Sequence, residues 1–229
     1  MDKKFRLLVC CEESQRVCTA FRERGWEAYS CDIEPCSGGH PEWHIMQDVL
    51  PLIDGDCMFV TVDGVEHHID GQWDLLICHP PCTYMSKAGA RWMYPTAGIV
   101  DQNRLRLAMM AKDFFMQFYN AKCSHIAIEN PRPLKIVGLP KHSQVVQPYE
   151  YGDPYSKATL LWIKGLVELR PTNILTEYKP WMPSNTGAFS RGGGGSRGVA
   201  YNAKLASKTF HGIAKAMADQ WGKFIEEQA

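Results

Sequence analysis

Cys82 follows two prolines in the stretch Asp74-Leu75-Leu76-Ile77-Cys78-His79-Pro80-Pro81-Cys82-Thr83-Tyr84-Met85-Ser86. The apolar run Leu75–Cys78 has the length and character of a buried strand. Proline lacks an N–H and fixes φ, so the strand cannot run past Pro80. The residues beyond it form a stiff loop at the carboxyl end of a strand, where open α/β sheets place their ligands. A thiol presented there is a candidate nucleophile when a cation or helix N-terminus favours its thiolate. A second stretch repeats the pattern: His125-Ile126-Ala127-Ile128-Glu129-Asn130-Pro131 is a short apolar run, a polar pair and a proline stop. A carboxylate held at that strand end can face the loop that carries Cys82.

The elements that must position these groups follow from periodicity. Phe5 to Cys11 reads as a first buried strand. Glu12-Glu13-Ser14-Gln15 opens a helix running to Arg24, with Val17, Ala20 and Phe21 on one stripe and Gly25 as its stop. Glu27 to Cys31 is a second strand ending at Asp32. This is a β-α-β unit with an acidic residue at its end, an arrangement suited to ribose hydroxyls. Residues 54–73 read as an inserted hairpin around Asp63-Gly64, with His67 and His68 facing solvent. Asn103 to Asn120 is an amphipathic helix, Ser143 to Gln147 a short strand, and Ala206 to Glu227 a closing helix with Phe210, Ile213, Met217, Trp221 and Phe224 on one face.

Pro80-Pro81-Cys82 with Ser86 resembles the catalytic-loop motif of the DNA cytosine-5 methyltransferases, and Glu129-Asn130-Pro131 is similar to their Glu-Asn-Val motif. The compact form is similar to methyltransferase-like proteins of phages and prophages. The resemblance implies an α/β, Rossmann-like S-adenosylmethionine-dependent methyltransferase fold: a mixed, mostly parallel sheet with helices on both faces, in one domain over 1–229. It implies Cys82, Glu129 and Lys157 as catalytic groups, and S-adenosylmethionine as cofactor near Cys11, Glu13, Ser14, Asp32, Asp48 and Pro80. Ser86, Lys87, Arg91, Asn130, Arg191 and Arg197 are the implied substrate or DNA contacts. Lys157 stands where the family has its first arginine, and Thr159 replaces the second.

Two departures matter. The loop Cys11-Glu12-Glu13-Ser14-Gln15 lacks the family's glycines and its aromatic, so side chains must replace close backbone contact with the cofactor. Only about forty residues separate Trp162 from the closing helix, too few for a separate target-recognition domain. Relaxed recognition, a smaller or single-stranded substrate, and a partner protein that supplies specificity all remain open. So do C5 transfer on RNA or a free cytidine nucleotide, transfer of another group, and a non-catalytic nucleotide-binding relative.

The 229 residues carry 25 basic and 25 acidic side chains, so no global charge draws the chain to nucleic acid, and any DNA contact must be local. Nine cysteines without an apolar leader point to a reducing compartment, the cytoplasm of a bacterium or phage-infected cell, and no apolar run reaches membrane-span length. Cys31, Cys36, His40 and His44 have a spacing that zinc sites also show, although a strand cysteine and loop histidines account for it equally, and no metal is expected. Residues 189–198 form a glycine-rich loop bracketed by Arg191 and Arg197, either a phosphate grip or a linker.

Overall fold

The structure, a computed structural model, describes residues 3–181 and 207–229. The first strand, β1 (Arg6–Cys10), is followed by helix α1 (Arg16–Glu23), β2 (Glu27–Asp32) and β3 (His44–Met46). A hairpin of β4 (Cys57–Val60) and β5 (Glu66–Ile69) precedes β6 (Leu75–Cys78). A short helix α2 (Ala90–Met93) and the long α3 (Gln102–Tyr119) lead to β7 (Ile126–Asn130) and β8 (Gln144–Val146). After β9 (Tyr155–Ser156), β10 (Thr159–Lys164) and β11 (Lys179–Pro180), the chain closes with α4 (His211–Met217). A π turn over Ala218–Gly222 continues α4 into α5 (Lys223–Glu226).

Among the described residues the main sheet has seven strands in the order β3-β2-β1-β6-β7-β10-β8. The first five are mutually parallel, and β10 runs antiparallel to both β7 and β8. The strand order reverses between β1 and β6: the chain steps outward from β1 to β3, then returns to the other side of β1. Cys10, the last residue of β1, is in register with Cys31 of β2 and Cys78 of β6. Three strands therefore end at one level, and the crevice beyond the carboxyl ends of β1 and β6 is the sheet's switch point.

The interior strands are apolar on both faces because both faces are covered. Side chains alternate along β1, with Leu7 and Val9 on one face and Leu8 and Cys10 on the other. The first face packs under Val17, Cys18 and Phe21 of α1 and under Ile213, Met217 and Trp221 of the closing helix. The second packs under Phe115 and Phe118 of α3 and under Phe59 and Trp73 around the hairpin. Burying each such large side chain contributes about 1.5–3 kcal/mol. The α/β class, the mostly parallel mixed sheet and the helices on both faces all agree with the sequence expectation.

Local departures have physical causes. Helix α1 starts at Arg16 rather than Glu12, because the Glu12 carboxylate folds forward to accept the N–H groups of Val17 (2.7 Å) and Cys18 (3.2 Å). A residue whose side chain caps the helix cannot also form its first turn. The closing helix is interrupted by a π turn where Gly222 passes the Arg24 side chain. At its start, a Cβ on Gly212 would lie 2.0 Å from the Tyr151 carbonyl oxygen, while the Gly212 N–H donates to Asp153 at 3.0 Å. The hairpin forms a separate two-stranded sheet turning at Gly64, φ +87°. His67 does not face solvent. Its Nδ1 lies 3.0 Å from the Tyr29 hydroxyl and its Nε2 3.1 Å from Thr61 Oγ1, so the pair fastens the hairpin to β2. His68 is exposed beside Asp70. Among the described residues, no helix is long and apolar enough to cross a membrane.

Candidate active site

The Cys82 loop is held from several sides. The His79 N–H donates to the Cys10 carbonyl at 2.9 Å, carrying the β1–β6 pairing one residue past the strand before Pro80 ends it. The Pro80 carbonyl accepts from Asn130 Nδ2 at 2.7 Å, a buried bond between the two proline-stopped strand ends. Beyond it, the N–H groups of Met85 (3.1 Å) and Ser86 (2.9 Å) both donate to the Cys82 carbonyl, closing a tight turn. The Leu134 N–H donates to the Met85 carbonyl and the Lys87 N–H to the Arg132 carbonyl, each at 2.8 Å. From α3, Arg104 donates to the Thr83 carbonyl and lies 4.5 Å over the Tyr84 ring. This bracing leaves the Cys82 residue partly exposed.

Glu129 enters the same space from the end of β7, nine-tenths buried, and His79 Nδ1 lies 3.0 Å from its Oε2. Burial alone would raise the Glu129 carboxyl, but the His79 hydrogen bond and the charges of Lys157 and His79 outweigh it, and the group is held below the ordinary carboxylate value. His79 shows the complement. Burial pushes it down, yet the hydrogen bond and charge of Glu129, with a further contribution from Glu12, hold it above the ordinary imidazole value. Burial and then the charge of Glu129 push the Cys82 thiol up, while Lys157 draws it down. Lys157 lies in the turn between β9 and β10, where its N–H donates to Gln147 at 2.9 Å. Cys82, Glu129 and Lys157, from three separate segments, therefore share one electrostatic neighbourhood. Glu129, Lys157, Thr159, Thr209, Phe210 and Ile213 line a small cleft there.

The groups expected around the cofactor flank the switch point. Cys11 adopts a left-handed conformation, φ +59°, as the chain leaves β1. Burial, Cys10, and the carboxylates of Asp32 and Asp48 push its thiol up, which sets those three residues in one neighbourhood. Asp32 Oδ1 accepts the Glu34 N–H at 3.0 Å. Asp48 is exposed and accepts the Leu50 N–H at 3.1 Å, the turn role that its position before Pro51 allows. Ser14 is buried and turned toward Glu12, 3.5 Å away. Both carboxylate oxygens of Glu13 are buried without a hydrogen-bond partner, and Lys208 Nζ approaches to 3.7 Å. Gln15 ties this loop to the next one by exchanging two bonds with the backbone of His40.

The remaining expected residues divide. Pro80 and Ser86 are buried in the loop's bracing. Asn130 is also buried, so it holds the loop rather than meeting solvent. Lys87 and Arg91 are exposed, and the Arg91 guanidinium lies 4.6 Å over the exposed Trp92 ring. Arg191, Arg197 and the glycine-rich loop lie outside the described residues. Cys31, Cys36, His40 and His44 do not form a metal centre. His44 uses Nδ1 on Ser30 and Nε2 on the Glu34 carbonyl, both at 2.9 Å, Cys31 points to the Gln47 carbonyl, and His40 stacks on Trp43 at 3.8 Å. No group of three or more metal-ligating side chains is gathered among the described residues.

Two site residues escape a motif-based reading of the sequence. Glu12 lies hidden in an acidic loop, although an acid just before a helix is a capping signal. His79 immediately precedes the proline stop, and a titratable residue at the carboxyl end of a buried strand is the signal that finds it. No protein-family model matches the chain, and no curated protein matches it.

Proposed function

We propose that this chain is a cytosine-C5 methyltransferase acting on DNA, with Cys82 as nucleophile. The observation that carries the proposal is the convergence of Cys82, Glu129 and Lys157 beside the switch-point crevice. Cytosine C5 is too weak a nucleophile to take an alkyl group unaided. Addition of sulfur to C6 turns the ring into an enamine, and charge then develops at N3. This needs a thiol on one edge of the pyrimidine and a proton-carrying carboxyl on another. Cys82 and Glu129 are groups of those two kinds, near enough for the Glu129 charge to act on the thiol.

The resting nucleophile is a thiol, because burial and the Glu129 charge disfavour the thiolate. The addition is balanced when sulfur bonds to C6, the S–H proton leaves, and N3 gains a proton. Glu129 is the chain's group to carry that proton, and Lys157 stabilises negative charge at the carboxylate and at sulfur. With the methyl group on C5, loss of the C5 proton to a base expels Cys82 as thiolate, and the N3 proton returns through Glu129 to the sulfur, leaving neutral 5-methylcytosine and the resting thiol. A base in duplex DNA must first leave the stack. Exposed Lys87, Arg91 and Trp92 beside the loop supply phosphate and stacking contacts for it.

The residues present fit S-adenosylmethionine, whose sulfonium and ammonium groups are cationic and whose ribose carries a diol. The Glu13 carboxylate, buried without a hydrogen bond and already 3.7 Å from the Lys208 ammonium, is in a setting that suits a cation, and Asp32 stands at the end of β2 where a ribose is gripped. Glu12 is committed to capping α1 and is not available for this. Bound there, the cofactor supplies an electrophilic methyl group.

The test is mass spectrometry of nucleosides after incubating protein and S-adenosylmethionine with duplex DNA, single-stranded DNA, RNA or dCTP, beside Cys82→Ala. The expected product is 5-methyldeoxycytidine from DNA, absent with Cys82→Ala. Product from RNA or dCTP alone would move the substrate assignment. No product from any substrate, with no heat of S-adenosylmethionine binding, would remove the methyltransferase assignment.

A further inference from the structure

We infer that His79 is a positioning residue: as an imidazolium it holds the Glu129 carboxylate at the reacting edge and sets its acidity for proton transfer to the base. This rests on the cytosine-C5 assignment for its catalytic consequence, though not for the ion pair itself. The geometry comes first. His79 Nδ1 lies 3.0 Å from Glu129 Oε2, and both side chains are nine-tenths buried. The backbone of His79 is fixed by its bond to Cys10, and Pro80 follows it, so the ring has a rigid base. Its other nitrogen, Nε2, is buried and has no hydrogen-bond partner.

The groups that face this ring from every packed element decide its charge. Glu129 comes from β7, Glu12 from the β1–α1 loop and Lys157 from the β9–β10 turn. Two carboxylates oppose one ammonium. Nε2 lacks a hydrogen-bond partner in either state, so it does not decide the matter. The Nδ1 bond to Glu129 at 3.0 Å, the Glu129 charge and the further charge of Glu12 do, since each favours a protonated ring against burial and Lys157. The favoured state is therefore the imidazolium, which balances the carboxylate beside it.

The consequence for the reaction is specific. As the S–C6 bond forms, the Cys82 proton passes to Glu129 and on to N3. Glu129 is an anion before and after, with no net gain or loss of protons at the pair. His79 keeps its proton throughout, so Glu129 in its protonated moment is a stronger acid toward N3 than it would be beside a neutral ring. Raising the pH until His79 loses its proton removes that advantage.

Two measurements test this independently. Histidine-selective 13C labelling, with the His79 signal identified by its loss in His79→Gln, gives the ring's titration midpoint without any catalytic assumption. The expected midpoint lies above the ordinary imidazole value and falls in Glu129→Gln. A His79 midpoint at or below 6.5 that Glu129→Gln leaves in place would overturn the inference, whatever the enzyme's activity. In the second measurement, kcat/KM against pH for the wild type should show an alkaline limb that His79→Gln lacks, with a loss of at least tenfold at neutral pH, carried by kcat rather than KM. A His79→Gln enzyme that keeps both the limb and the rate would also overturn it. An inactive wild type, with His79 titrating as expected, would instead remove the methyltransferase assignment and leave the ion pair standing.

Discussion

Asn130→Ala is the most direct probe of how the Cys82 loop is held. Asn130 is 1 % exposed, and its Nδ2 donates to the Pro80 carbonyl at 2.7 Å. Truncation leaves that carbonyl buried without a partner, a cost of about 1–3 kcal/mol. The Asn130 Oδ1 atom has no hydrogen-bond partner, so the substitution also removes one unsatisfied acceptor. The net loss should therefore sit in the lower half of the range, about 1.5 kcal/mol. With a urea slope of about 2 kcal/mol/M, the unfolding midpoint should fall by roughly 0.7 M. The loss should be concentrated in the loop. The Met85 and Ser86 amides, both bonded to the Cys82 carbonyl, should exchange with deuterium roughly tenfold faster, since 1.4 kcal/mol is a factor of ten. Asn130→Asp should be worse, because it sets a carboxylate against the carbonyl oxygen and beside Glu129. An Asn130→Ala protein with wild-type midpoint and wild-type exchange over Pro80–Lys87 would refute the claim that this bond holds the loop.

Three further outcomes follow from the same geometry. Glu129→Gln should speed iodoacetamide labelling of Cys82 at pH 8, and Lys157→Met should slow it, because the first charge raises the thiol and the second lowers it. Peptide mapping that finds equal rates in both variants would break the proposed electrostatic coupling. Gly212→Ala should destabilise by about 2 kcal/mol or more, since its Cβ would meet the Tyr151 carbonyl at 2.0 Å, and a Tm equal to wild type would show that the closing helix is not seated there. The His79–Glu129 pair should confine its stabilisation to a pH window. The His79 contribution is complete below its unfolded value of 6.5 and is lost as pH rises through the raised folded value. The Glu129 contribution is present above its unfolded value of 4.5 and is lost as pH falls through the depressed folded value. Urea stability of the wild type minus that of His79→Gln should thus be largest between those limits, and a difference that is flat with pH would count against the pair.

The strand ends were legible locally. Leu75–Cys78 and Ile126–Asn130 are apolar runs terminated by prolines, and a missing N–H stops a strand in any tertiary context. The buried stripe of α3 followed from its spacing, with Ala108, Phe115 and Phe118 facing the sheet. The hairpin followed from Asp63-Gly64, because a positive φ at Gly64 costs little. Helix α1 starts later than its propensity suggests because the Glu12 side chain folds forward onto the N–H groups of Val17 and Cys18, a local capping choice that outweighs good helical propensity. His67 is turned inward for a different reason: Tyr29, one of its two partners, lies on another strand 38 residues away in sequence.

The sequence by itself determined which residue types end which strands, and so placed a thiol and a carboxyl beyond two proline stops. It could not determine that the two stops are neighbours. That depends on β6 pairing with β7 in parallel and on the reversal of strand order at β1, which are non-local facts set by which apolar faces cover one another. Only that pairing gives His79 a carboxylate at 3.0 Å and ties Asn130 to Pro80. The antiparallel pairing of β10 with β7 in turn brings Lys157 near enough to act on both Cys82 and Glu129. Side-chain chemistry is written in the chain, but charge coupling depends on distance, and the sheet sets the distances.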